Sequence, residues 1–291
     1  MNSRTLLRLH SHVVLPIVAS LLVTSCTNAP DTSGEVDHRL EARAEASAGC
    51  AGARRPPLHG ERRQIMVGDE ERTFLVDAPV DDPNRPRPVV LVFHGFRGSA
   101  ANQRLGTGMV TLAERNDVIA VHPEGHEGVH LLDSTGRGWD LDAHETRDLD
   151  FVRALLDALE GERCVDRRRV YATGMSNGGF FANLVGCRMA DRIAAIAPVA
   201  GAKPLPDCVP ARPVPVLLTF GRADDVIPPS LMRAARDWWA RVDGCESGHE
   251  LDGCTRFAGC ELVSCEGPQA HTWPSDATDR IWRFFAAHPR P

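Results

Sequence analysis

Val170-Tyr171-Ala172-Thr173-Gly174-Met175-Ser176-Asn177-Gly178-Gly179 is the stretch whose reading decides the fold. Val170 to Thr173 has the β-branched and aromatic character of a strand, and Asn177 to Met189 carries a helical pattern. Between them Gly174 to Gly178 fits G-x-S-x-G. The glycines let the chain turn sharply enough to hold a serine hydroxyl out of a strand-to-helix corner. Gly179 extends the patch of small residues and allows helix and strand to approach closely. A serine hydroxyl is a poor nucleophile until a base accepts its proton, so this reading demands an acid and then a histidine later in the chain.

Phe220-Gly221-Arg222-Ala223-Asp224-Asp225 follows an apolar run, Val214 to Phe220, and places an acid at the carboxyl end of a strand. On position alone Asp224 and Asp225 both qualify. Among twelve histidines, His271 stands out because it follows the last short apolar stretch, Glu261 to Val263, and precedes the terminal helix. His249, in a Gly- and Cys-rich setting, is the rival. The tetrahedral intermediate of acyl transfer needs hydrogen-bond donors aimed at its oxyanion. The N–H of Asn177 is one candidate, and the N–H of Phe96, in His94-Gly95-Phe96-Arg97-Gly98, is the other. His94 reads as a structural imidazole at a strand end.

Working outward, Val89 to Phe93, Val118 to Val121, Val170 to Thr173, Ile193 to Val199 and Val214 to Phe220 are continuous apolar runs, the signature of strands covered on both faces. Helical patterns lie between and after them: Ala101 to Arg115, Leu149 to Leu159, Asn177 to Met189, Leu231 to Val242 and Ala277 to Ala287. Gln64 to Val67 and Thr73 to Val76 flank Gly68-Asp69-Glu70-Glu71 and predict an antiparallel N-terminal edge. The alternation predicts a doubly wound α/β domain over residues 49–291, a mostly parallel central sheet flanked by helices on both faces with its site at the carboxyl ends of the strands; with the G-x-S-x-G corner the expected fold is an α/β-hydrolase.

A chain of 291 residues with 43% hydrophobic residues can bury a core of this kind. The net charge of −6 and the dispersed arginines give no basic face for nucleic acid. Arg4 and Arg8 precede a short apolar run, Val13 to Val23, which reads as an export signal rather than a membrane span. Val23-Thr24-Ser25-Cys26 resembles a bacterial lipobox, with Cys26 as the lipidated mature N-terminus, so residues 1–26 are expected to be a signal peptide. The competing reading is an ordinary signal peptide cut nearby; intact mass of the mature protein separates the two. Residues 27–48 are small, polar and charged and read as a flexible tether. The expected location is exported, extracellular or lipid-anchored at the bacterial cell envelope.

Nine cysteines less Cys26 leave eight, an even number that favours disulfides in an exported chain. No C-x-x-C pair or close histidine pair accompanies them, so no metal is expected.

At these residues the chain resembles a family of secreted α/β-hydrolase esterases that includes feruloyl esterases, acetylxylan esterases and polyhydroxybutyrate-depolymerase-like hydrolases. The resemblance runs from about Gly49-Cys50 to Phe285. It is carried by Leu91-Val92-Phe93-His94-Gly95, Cys164-Val165-Asp166, the stretch quoted first, Ala195-Ile196-Ala197-Pro198-Val199-Ala200-Gly201, and His271-Thr272-Trp273-Pro274. It implies an acyl-enzyme hydrolase of carboxylic esters without metal or organic cofactor, using Ser176, Asp224 and His271; the family pattern places the acid on Asp224. It also implies that Cys50, Cys164, Cys187, Cys208, Cys245 and Cys260 match family cysteines. The expected pairs are Cys187 with Cys208 and Cys245 with Cys260, with Cys254 and Cys265 as an additional bridge. The chain departs from the pattern at Phe96-Arg97, Phe220 and Gln269-Ala270.

Trp139 and Trp273 are candidates for an aromatic wall around an acyl or phenolic group, and Arg97 for attracting a carboxylate-bearing substrate. Trp238, Trp239 and Trp282 lie in helical patterns and read as core. The leading expectation is a monomeric serine esterase acting on feruloyl or acetyl esters of polysaccharide or on hydroxyalkanoate polyesters, with an ester substrate, possibly polymeric, as its only partner. The alternatives are acyl transfer to a sugar hydroxyl and a non-catalytic lipid-tethered binding protein.

Overall fold

The computed structural model describes residues 44–131, 133–142, 146–202 and 208–291. The signal segment, Cys26 and residues 27–43 of the expected tether lie outside the described residues. The rest of that tether is not loose. Glu45 N–H donates to Asp166 Oδ1 at 3.0 Å, Ser47 Oγ donates to the carbonyl of Arg163 at 2.8 Å, and Val165 N–H donates to Ser47 Oγ at 3.0 Å. Contacts with the domain thus begin before residue 48, through main-chain groups, the Ser47 hydroxyl and the Asp166 carboxylate.

Four apolar runs quoted above become parallel strands: β3 (Arg87–Phe93), β4 (Ile119–Pro123), β8 (Ala195–Val199) and β9 (Val216–Gly221). The fifth is the distal half of β7 (Val165–Met175), and β12 (Leu262–Gly267) completes the parallel set. At the N-terminal side β1 (Leu58–Val67) and β2 (Glu70–Ala78) add antiparallel, as expected, but each extends well beyond its predicted core. At the other side β10 (Gly248–Leu251) and β11 (Cys254–Phe257) form a second antiparallel edge that was not predicted. All ten lie in one sheet, in the order β1-β2-β4-β3-β7-β8-β9-β12-β11-β10. A separate hairpin, β5 (His126–Leu131) with β6 (Ser134–Gly138), rises from the loop after β4.

Alternation along the strands builds two cores. Val89, Leu91 and Phe93 face one side, packed with α3 (Arg147–Glu162), α4 (Asn177–Arg188) and α5 (Pro229–Val242). Val90 and Val92 face the other, packed with α2 (Met109–Asn116) and α6 (Ala277–Ala287). Each large apolar side chain so buried contributes roughly 1.5–3 kcal/mol. The single helix predicted over Ala101 to Arg115 is two, α1 (Ala100–Gly106) and α2, because Gly108 adopts φ 69° and turns the chain between them. The eight described cysteines form Cys50–Cys164, Cys187–Cys208, Cys245–Cys260 and Cys254–Cys265. The first closes a separation of 114 residues, the long-loop case in which a cross-link removes most unfolded-state entropy.

Candidate active site

Ser176 occupies the corner between β7 and α4 at φ 55° and ψ −123°. A non-glycine residue in that region carries of order 1–3 kcal/mol of backbone strain and persists only where its surroundings hold it. Here its N–H donates to the carbonyl of Val199 and its carbonyl accepts from Phe180 N–H, both at 2.9 Å. The corner closes against β3: a Cβ on Gly178 would lie 2.3 Å from the carbonyl oxygen of Phe93, so only glycine fits there.

Sheet register sets the remaining elements at the same end. Met175 pairs with Val199, Val199 with Thr219, and Thr219 with Cys265. Ser176, Asp224 and His271 thus leave neighbouring strands just beyond one row of residues. Asp224 is buried, while Asp225 is exposed. One Asp224 oxygen, Oδ2, accepts from His271 Nδ1 at 2.8 Å. The other, Oδ1, accepts the N–H groups of Val226 at 3.0 Å and Ile227 at 2.7 Å, which fixes the carboxylate plane. Of the two acids left open by spacing, Asp224 is the one that meets His271. His249, the rival base, is exposed on β10, the outermost strand. Ser176 Oγ makes no hydrogen bond to His271 among the described residues.

Of the oxyanion candidates, Asn177 is the first residue of α4, and its N–H has no carbonyl partner inside the helix. In the loop after β3, Arg97 N–H is engaged by the carbonyl of Arg137 at 2.7 Å and Gly98 N–H by that of Gly95 at 2.9 Å. Phe96 N–H has no acceptor among the described residues. The bulk of Phe96 is accommodated by β6, where a Cβ on Gly138 would meet its ring at 3.2 Å. Arg97, at φ 60°, is exposed and turns back to Ser134 Oγ and the carbonyl of Thr135.

Trp139, a candidate for the substrate wall, is among the residues that line the cavity described below, with its ring packed inward. Its side chain is fully buried, stacked on Phe181 at 4.9 Å and edge-on to Phe93 at 5.1 Å. Trp273 is half-buried, with Nε1 donating to Thr278 Oγ1 at 3.0 Å. Sequence reasoning did not single out the β5–β6 hairpin. With Asp140, Arg147 and Asn177 it lines a cavity of about 680 Å³ beside the oxyanion donor, into which His126 and His130 also face.

His94 Nε2 accepts from Gly125 N–H at 2.9 Å, so the ring proton sits on Nδ1 and donates to the carbonyl of Gly95 at 2.8 Å. Burial lowers its pKa to about 4. The same cause acts on His122, fully buried on β4 near the Asp77–Arg104 pair, whose pKa is also lowered to about 4. Unfolded imidazoles take protons below about 6.5, whereas these two refuse them until about 4. Their contribution is complete above the unfolded value and is lost as pH falls between those limits. Tm is therefore expected to drop on acidification through that window. Among the described residues neither nitrogen of His122 has a hydrogen-bond partner, so His122→Leu is expected to flatten the Tm–pH slope; an unchanged slope refutes this assignment.

Comparison with known proteins meets these residues. Residues 77–205, which include Ser176 and end before Asp224 and His271, match the family described as esterase PHB depolymerase. Feruloyl esterase B of Piromyces equi is 30% identical over 207 residues, covering 63% of this chain and 37% of that protein. The putative esterase NocK of Nocardia uniformis subsp. tsuyamanensis is 33% identical over 177 residues, covering 57% and 49%. The chain thus spans less than half the length of either relative. The acetyl xylan esterase from Aspergillus awamori superposes with a TM-score of 0.64 at 15% identity, covering 78% of this chain and 99% of that one, which shows the shared fold. The chain has the α/β-hydrolase fold; over residues 77–205, which hold the strand-to-helix serine, it is similar to the esterase PHB depolymerase family, and it is similar to esterases such as feruloyl esterase B and NocK.

Proposed function

We propose that the protein is a serine carboxylesterase. His271 takes the proton of Ser176 as Oγ attacks the ester carbonyl, and Asp224 holds the resulting imidazolium. The oxyanion is received by the N–H groups of Asn177 and Phe96. The alcohol leaves with the proton from His271, and water, deprotonated by the same imidazole, releases the acid. The observation that carries this reading is the Asp224–His271 bond at the same end of the sheet as the strained, partly buried Ser176.

The substrate class rests on the relatives' names and on the cavity beside Asn177. Polar groups from His126, His130, Asp140 and Arg147 around that space suit a hydroxyl-rich leaving group better than a lipid tail. We assign the natural substrate to feruloyl or acetyl esters of plant polysaccharide, with hydroxyalkanoate esters as the competitor. Four disulfides fit an oxidising compartment, and the lipobox-like Val23 to Cys26 supports tethering at the cell envelope.

A panel of methyl ferulate, acetylated xylan and 3-hydroxybutyrate oligomers tests the assignment. Higher kcat/KM on the polysaccharide-type esters is expected. Preference for the hydroxybutyrate oligomers overturns the substrate class, and no hydrolysis of any ester overturns the enzyme reading.

A further inference from the structure

The two oxyanion donors belong to different parts of the chain, Phe96 after β3 and Asn177 at the start of α4, and a third segment joins them. Asn177 does more than lend its main-chain N–H. Its side-chain Oδ1 accepts Trp139 N–H at 2.7 Å and its Nδ2 donates to the Trp139 carbonyl at 3.1 Å, a two-point hold on one peptide segment. From that segment the indole Nε1 of Trp139 donates to the carbonyl of His94 at 2.9 Å, inside the loop that carries Phe96. His94 is in turn fixed by Gly125 N–H on its other side.

The next residue is anchored as firmly. Asp140 N–H donates to Asp148 Oδ2 at 2.7 Å, and Asp148 Oδ1 accepts from Arg72 at 2.7 Å. Trp139, Asn177, His94, Asp148 and Arg72 are all at most 3% exposed. Buried polar groups of this kind are costly unless satisfied, and once satisfied they admit one arrangement. A chain of satisfied bonds thus runs from the helix carrying one donor to the loop carrying the other.

The geometry points to Asn177 and Trp139 as positioning residues that hold the two oxyanion donors in fixed relation through the bond series Asn177 side chain, Trp139 main chain, Trp139 indole, His94 carbonyl. The assignment rests on the esterase reading above. Its consequence is specific: loosening the series impairs the transition state and spares ground-state binding, because the donors meet the oxygen only when it is charged.

The test uses the full-length protein and two variants, Trp139→Phe, which keeps the ring stack and removes only the indole donor, and Asn177→Ala, which keeps the main-chain N–H and removes both side-chain bonds. Three quantities are read: kcat and KM on p-nitrophenyl acetate, Ki for an aryl trifluoromethyl ketone, and Tm. The ketone carbon bonds to Ser176 Oγ, the serine proton passes to His271, and the ketone oxygen becomes the anion that the donors must receive. Both variants are expected to lose kcat by roughly 10- to 100-fold, the scale of a misplaced donor, with KM within about twofold and Ki rising in parallel with the loss of kcat/KM.

Variants that lose Tm while folded molecules keep wild-type kcat and Ki overturn the assignment and leave ordinary packing. If Asn177→Ala does not fold, Trp139→Phe alone decides. Wild-type protein that neither hydrolyses the ester nor binds the ketone overturns the esterase reading itself, which separates that failure from a failure of the positioning role.

Discussion

Ser176→Ala is expected to lower p-nitrophenyl acetate turnover by about three to six orders of magnitude while leaving the unfolding transition close to wild type. The size follows from the role: without the hydroxyl no acyl-enzyme forms, and only the oxyanion donors and binding remain to accelerate attack by water. The tolerance follows from the site. Ser176 is only partly buried, and its main-chain bonds to Val199 and Phe180 survive the change. Removing Oγ also leaves the positive φ untouched, so the strain of the corner is the same in both proteins. Circular dichroism and thermal melts alongside the kinetics check that half of the expectation. Activity within tenfold of wild type refutes the nucleophile.

Asp224→Asn is expected to reduce kcat by about three to four orders of magnitude, on the scale seen when a triad acid becomes its amide. The reason lies in the bonds this carboxylate makes. Oδ1 accepts two main-chain N–H groups, from Val226 and Ile227, so in the amide the carbonyl oxygen must take that place. The NH2 group then faces His271 Nδ1, which has to become an acceptor. The ring proton moves to Nε2, the nitrogen that must receive the serine proton, and the base is blocked. Asp225→Asn is the matched control: Asp225 is exposed, and its amide is expected to stay within about twofold of wild type. Equal effects at the two positions contradict the assignment of the acid, and a larger effect at Asp225 reverses it.

The parallel heart of the sheet was legible because strands buried on both faces must be continuously apolar, and Val89 to Phe93 or Val214 to Phe220 have few other readings. Ser176 and the Asp224-Asp225 pair could be placed for a related reason, since each follows such a run and the carboxyl ends of parallel strands meet at one side, whereas the choice of Asp224 and of His271 leaned on the family resemblance and on a short stretch before the terminal helix. What lay outside the reach of sequence was held by polar or main-chain contacts. β10, Gly248–Leu251, is exposed along its length and shows no alternation. β6 is Ser134-Thr135-Gly136-Arg137-Gly138, a composition that signals a turn, and it forms a strand only because β5 pairs with it. Trp139 was singled out as part of an aromatic wall from its place in Gly138-Trp139-Asp140, before the helix at Leu149. That its ring is sealed between Phe93 and Phe181 depends on residues about 40 positions away in either direction. The Arg72–Asp148 pair, separated by 76 residues, leaves no local trace at all.

The most direct test is to treat the native protein with a fluorophosphonate, digest it with trypsin and locate the adduct by mass. The expected result is one adduct on the peptide spanning residues 170–188, at Ser176, absent from Ser176→Ala and from protein unfolded and reduced before labelling. An adduct on a different residue, or ester hydrolysis by protein that takes up no label, contradicts an activated hydroxyl at the β7–α4 corner.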